Sequence, residues 1–174
     1  MFAVGDQIIY GGMGVCVVEA IEQRRQPHSR EEYSVYCLRP LYQKCSVTTP
    51  TDNDKVFMRP VITREEAMEL IDAIPTVRAE PYHNKVLRQL SDYYESRIKR
   101  YDCSELVELT MSLYAKRREA EEQKKKFGAL DERYMKRAEE LLFGELAVAL
   151  ELPKEEVQAF IARRLSGAAS EAAL

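Results

Sequence analysis

GDQIIYGGMGVCVVEAI, residues 5–21, decides the fold of the first part of this chain. Two apolar runs, Gln7–Tyr10 and Val15–Ile21, flank the cluster Gly11-Gly12-Met13-Gly14. Their Val and Ile content and their period near two are the signature of strands. Glycine reaches positive φ without a steric clash, so the cluster is read as a tight turn. It lacks the trailing Lys-Ser/Thr of a phosphate loop and the strand-to-helix context of a dinucleotide fingerprint, so it is not a nucleotide cradle. The same texture continues outward: Tyr33–Arg39, Cys45–Thr49 and Lys55–Met58 read as further strands, and RRQPHSR, residues 24–30, as a polar hairpin loop. Five short strands in about 60 residues cannot make a sandwich but can close a small barrel, which removes most exposed edges.

Beyond Ile62 the apolar period becomes 3.6. Thr63-Arg64-Glu65-Glu66 is a capping box, and Pro75 stops the short helix it opens. A second helix is expected over Asn84–Arg100, with Val86, Leu87, Leu90, Tyr94 and Ile98 as its apolar stripe. Asp102-Cys103-Ser104-Glu105 opens a third, burying Leu106, Leu109 and Leu113, with Gly128 as its terminator. Asp131 begins a fourth through Met135, Ala138, Leu142, Leu146 and Leu150, and Pro153 sits in the first turn of a fifth with Val157, Phe160, Ile161 and Leu165. The segment after Ser166 reads as a fraying tail. The sequence-level architecture is therefore α+β with two domains, a small five-stranded barrel at 1–62 and an all-α domain of about four to five helices at 81–166, joined by a linker with a short helix at 63–80 and followed by a tail at 167–174.

In 174 residues, 45% hydrophobic and 32% charged content is that of a globular chain and not of a disordered one. No run of about 18 apolar residues occurs, and Asp6 interrupts the place a signal peptide would need, so a cytoplasmic protein without membrane contact is expected. Cys16, Cys37, Cys45 and Cys103 share no metal-ligand spacing and are read as structural thiols. His28 and His83 stand in polar or proline-bearing loops without a nucleophile or paired carboxylate at a motif spacing. No catalytic residue, metal, cofactor or small-molecule substrate is therefore expected, and the chain does not read as an enzyme.

The charge is uneven. Between Lys85 and Glu140 fourteen Lys or Arg face twelve Asp or Glu, although the whole chain carries a formal charge of -3. Residues 116–126, KRREAEEQKKK, hold almost nothing apolar, so that end of the third helix must meet solvent or a charged partner. Lys116, Arg117, Lys124, Lys125, Lys126, Arg133, Lys136 and Arg137 all fall around one helix-to-helix connection, where they can converge on a phosphate backbone or form a solvated hairpin. Tyr93, Tyr94 and Tyr101 offer rings for stacking on bases, against the plainer alternative of core packing.

VGDQIIYGGMGVCVVEAI at 4–21, Glu32-Tyr33 entering a strand, and Pro50 after Val47-Thr48-Thr49 resemble the CarD family of bacterial transcription regulators, whose N-terminal module is shared with transcription-repair coupling factor. ELVELTMSLY at 105–114 and AEELLFGELA at 138–147 extend the resemblance to about residue 165. The resemblance implies a Tudor-like (SH3-like) barrel that pairs an edge strand with the RNA polymerase β subunit, a β-augmentation mode. It implies polymerase contacts at Arg24, Arg25, Val47, Thr48 and Thr49; at one of these positions family members usually carry a basic residue and this chain has Thr48. In the helical domain it implies contact with promoter DNA at the upstream bubble edge, where members insert a tryptophan wedge into the minor groove. This chain has no Trp. Tyr82 and His83 fall near that location, with Leu87 one turn on, so the wedge is either replaced by Tyr82 or absent. Lys85 and Arg88 complete the DNA-facing set.

The function so implied is non-sequence-specific stabilisation of the open promoter complex, the protein being carried to the nucleoid by polymerase. The alternative is a protein-only adaptor that bridges polymerase and a second protein without touching DNA.

Overall fold

A computed structural model of the chain describes the backbone of residues 1–172 and the side chains of residues 1–167. It divides into two compact units, Met1–Val61 and Ile62–Leu174.

The first unit is a five-stranded antiparallel sheet in the order β4-β3-β2-β1-β5, made of β1 (Gln7–Tyr10), β2 (Val15–Arg25), β3 (Glu32–Pro40), β4 (Val47–Pro50) and β5 (Met58–Pro60). Alternation aims Ile8, Tyr10, Cys16, Val18, Tyr36 and Leu38 at one core, onto which Val47 and Met58 also pack. Both outer strands thus curl over the same apolar centre, as a small barrel requires. Gly5 (φ 94) and Gly14 (φ 76) take the positive-φ turns around β1. A register shift between Val18 and Ala20 leaves Glu19 as the extra residue of a bulge.

Two expectations shift here. Arg24 and Arg25 belong to β2 and not to a loop, because Arg24 pairs across to Tyr33, Arg25 to Glu32, and the Arg25 guanidinium meets the Glu32 carboxylate at 2.9 Å. The outer strands begin later than read, β4 at Val47 and β5 at Met58, which leaves Cys45 exposed before the ladder starts.

The second unit holds α1 (Arg64–Ala73), α2 (Leu87–Ile98), α3 (Cys103–Glu122), α4 (Ala129–Leu150) and α5 (Val157–Ala172). The capping box is formed: Glu66 N–H donates to Thr63 Oγ1 (3.1 Å) and Thr63 N–H to Glu66 Oε2 (2.7 Å). Pro75 lies in a short 3-10 turn, Ile74–Thr76, directly after α1. Asp102 caps α3 by accepting from Ser104 N–H (2.8 Å) and Glu105 N–H (3.3 Å). Buried Leu106, Leu109 and Leu113 of α3 face Met135, Ala138, Leu142 and Leu146 of α4 in the core of the unit. The Glu145 carboxylate, 1% exposed, accepts from Ile62 N–H (3.1 Å) and Cys103 Sγ (3.1 Å), tying the entry of the chain into this unit to α4.

Helix boundaries differ from the sequence reading for identifiable reasons. The second helix starts at Leu87 and not at Asn84, because the Asn84 Oδ1 accepts from Val86 N–H (2.8 Å) and holds a turn there. As a result only Leu90, Tyr94 and Ile98 of the expected stripe are buried, whereas Val86 is 51% and Leu87 67% exposed. Gly128 does not terminate α3. That helix ends at Glu122 with Lys124 in the left-handed region (φ 52), Lys125 N–H bonding to Ala120 O (2.8 Å) and Lys124 N–H to Glu121 O (3.1 Å), the paired bonds of a Schellman ending. Gly128 is the N-cap of α4, where a Cβ would lie 2.7 Å from Asp131 Oδ2. The segment read as a tail is helical to Ala172; residues 173–174 lie outside the described residues.

Candidate functional site

Among the described residues β4 pairs with β3 alone, which leaves one side of it as a sheet edge. Antiparallel pairing alternates between residues whose backbone groups face the partner and residues whose groups face away. Thr51 N–H donates to Ser34 O (2.9 Å) in the same register that pairs Thr49 with Tyr36 and Val47 with Leu38. Thr48 and Pro50 therefore turn their backbone groups outward, and since Pro50 has no N–H, Thr48 offers the one complete donor–acceptor pair on this strand. The side chains divide the other way. Val47 packs on the core and Thr49, 2% exposed, accepts from Asn53 Nδ2 (2.7 Å), so neither presents a side chain to a partner.

Arg24 and Thr48 come together through Cys37. Cys37 is the cross-strand partner of Thr48, and its half-buried thiol interacts with Glu22, Arg24 and Thr48. Burial first, and then the Glu22 carboxylate, push that thiol above its ordinary pKa, which keeps it neutral. Arg24 is itself paired with Glu22 at 3.2 Å, so a partner must meet the pair and not a bare cation. The edge of β4 and the arginine beside it form one surface.

The basic residues of the helical unit separate into two groups. Lys116 is not a surface cation: its Nζ lies 2.9 Å from Asp131 Oδ1, with side-chain exposures of 11% and 9%, and Tyr94 donates to the same oxygen at 2.6 Å. Arg137 pairs with Glu95 (2.6 Å) and Lys136 with Glu132 (3.2 Å). Burial raises the Glu95 carboxyl, but hydrogen bonds from Tyr134 and Arg137 outweigh it and hold the group below the usual carboxylate range. Arg117 lies over the Tyr114 ring (5.3 Å) and Arg133 over that of Tyr134 (5.1 Å), both with exposed side chains. Lys85, Arg88, Lys124, Lys125 and Lys126 are exposed and enter no ion pair among the described residues. His83 Nε2 sits 2.7 Å from Glu119 Oε2, which fixes the lead-in to α2 against the last turns of α3 and brings both sets of free cations to one end of the unit.

At that end Tyr82 stacks on Tyr93, ring centroids 3.9 Å apart and planes inclined by 20°, and Tyr93 meets buried Tyr94 edge-on. Tyr82 is thus held by the fold. The apolar groups presented outward are Val86 and Leu87, set between Lys85 and Arg88. The sequence pattern assigns this pair to a buried stripe; the signal for its exposure is an apolar doublet bracketed by cations at the N-cap and first position of the helix.

Among the described residues no group of three or more His, Cys, Asp or Glu is placed to hold a metal, and no helix is long and apolar enough to cross a membrane. Residues 2–62 match the family model of the CarD-like/TRCF RID domain. The sheet unit, with the edge of β4 and Arg24 on its surface, is a CarD-like RNA polymerase-interacting domain.

Proposed function

We propose that the chain is a transcription regulator whose sheet pairs the edge of β4 with a strand of the RNA polymerase β subunit, and whose helical unit grips promoter DNA at the upstream edge of the bubble without reading its sequence. The observation that carries the first half is the outward N–H and C=O of Thr48 beside Arg24, on a domain of polymerase-interacting type. Main-chain bonds to an edge supply affinity, and flanking side chains set the register. In support of the second half, Lys124, Lys125 and Lys126 crowd the α3–α4 connection with no side-chain ion pair among the described residues, and phosphate contacts of this kind orient a protein but carry no base code. Leu87 takes the part of the wedge in this reading: apolar side chains inserted at a base step kink the duplex, and cations on either side steady the phosphates. Open-complex stabilisation follows, because a distorted, partly unstacked step is easier to hold next to melted DNA.

The test uses the full chain. Thr48→Pro removes the outward N–H while leaving the β3–β4 bonds in place, a site where an edge strand tolerates proline. Capture of the polymerase β lobe should weaken at least tenfold, about 1.4 kcal/mol, and Thr48→Val should behave as the parent. Wild-type capture by Thr48→Pro would exclude edge pairing. On promoter complexes Leu87→Ala should shorten open-complex lifetime more than Tyr82→Ala. If neither variant matters and Lys124, Lys125 and Lys126 are also dispensable, the protein-only adaptor becomes the correct reading.

A further inference from the structure

A cavity of about 300 Å³ opens between α1, α3, α4 and α5 of the helical unit. Buried Ile71, Leu142 and Leu146 form its floor, with half-buried Met111 and exposed Ala162 toward the solvent side. No charged side chain is among its described lining residues. Thr110, in the α3 wall, has a buried hydroxyl without a hydrogen-bond partner. Buried polar groups are nearly always paired, but this oxygen is closed to solvent as it stands, so it meets a polar atom in the cavity only after χ1 turns. A helical threonine has two χ1 wells open to it, and the second turns this hydroxyl without moving the backbone.

We propose that this cavity binds an uncharged, largely apolar small molecule carrying one hydroxyl or carbonyl that pairs with Thr110. Ligand pockets combine an apolar lining with a few placed polar groups, and this one has that composition. The charge of the ligand is restricted by its surroundings. No charged side chain stands among the described lining residues, so the wall offers an ionic headgroup no partner; the charges that touch the wall residue Tyr114, Glu139 at its hydroxyl and Arg117 over its ring, are of opposite sign. Size is restricted as well: a 150 Å³ apolar cavity takes benzene, so twice that volume takes about twelve non-hydrogen atoms. Nothing in the polymerase or DNA reading calls for such a ligand.

The experiment titrates the full chain with linear primary alcohols from hexanol to decanol, using octyl chloride as the probe without a hydrogen-bonding group. The methionine methyl signals are followed by carbon-13 NMR. Met111 lines the cavity, while Met68 and Met135 do not and serve as internal references. The expected result is a saturable shift of the Met111 methyl alone, tightest for chains of intermediate length. Thr110→Val should weaken the best alcohol about tenfold and leave octyl chloride unchanged. Ala162→Phe, at an exposed position, should fill the entrance and abolish the shift while circular dichroism stays that of the parent. A Met111 signal that never saturates, or one that shifts equally in Ala162→Phe, overturns the site. So does sedimentation showing a dimer that Ala162→Phe dissociates, because the face would then be covered by a second copy of the chain.

Discussion

The edge of β4 and the α3–α4 connection offer a partner opposite kinds of chemistry. On β4 the offer is backbone: one donor and one acceptor from Thr48, fixed in direction by the sheet, next to an arginine already engaged with Glu22. On the connection it is side chain: three adjacent ammonium groups on long stems, with no ion pair among the described residues. Pairing along an edge is nearly indifferent to salt and to most side-chain replacements but is weakened by loss of its N–H. Phosphate binding reverses this, since each neutralised phosphate releases counterions and steepens the salt dependence by about 0.9 in log–log slope. Salt therefore separates the two modes of binding, and proline separates them again from the other side.

The largest effect expected lies in neither surface and sharpens the contrast. Lys116 belongs to the same charge run as Lys124, yet it neutralises a buried carboxylate. Lys116→Met keeps the apolar stem and strands Asp131, and denaturant unfolding of the helical unit should register a loss of about 3–5 kcal/mol. A variant as stable as the parent would return Lys116 to the surface group. Next, Lys124, Lys125 and Lys126 replaced together by Ala should leave unfolding nearly unchanged and reduce the salt slope of DNA binding by about 0.9 for each phosphate no longer neutralised. A full slope in the triple variant would break the contrast, because the charge would then act elsewhere. Arg24→Glu should weaken polymerase capture by about 1–3 kcal/mol, against a salt dependence much shallower than that of DNA binding. Equal affinity would remove the arginine from the interface.

The smallest effect expected is in acid. Glu95, with its carboxyl held below the ordinary range, contributes stability that is complete above its unfolded pKa and is lost as pH falls through the lowered folded value. Glu95→Gln should make the acid limb of the stability profile shallower, and an unchanged limb would show that the bonds from Tyr134 and Arg137 do not depend on ionisation.

Where local chemistry decides the outcome, the sequence was legible. Alternation around the glycine cluster marked the β1–β2 hairpin, and Thr63 and Asp102 marked helix starts through bonds spanning two or three residues. The candidate site was read less well because its decisive pairings are distant in the chain. Lys116 finds Asp131 only once α3 and α4 lie side by side, and Tyr82 finds Tyr93 across a turn held by Asn84. The same turn cut the apolar stripe short and left Val86 and Leu87 outside. Gly128 was misread because glycine favours a helix end on either side. Only the fold of Asp131 over it shows that it precedes α4 instead of ending α3.

Pro50 gives the edge of β4 a consequence of its own. An exposed strand is an open template on which further copies of the same chain can stack and aggregate. Beyond Thr48 the next outward position accepts but cannot donate, so a strand added here finds its ladder interrupted after one full rung. On the proposed reading a strand adds here over a short length only: flanking side chains that suit Arg24 would supply the rest of the affinity, and another β4, which brings its own proline, would lack them.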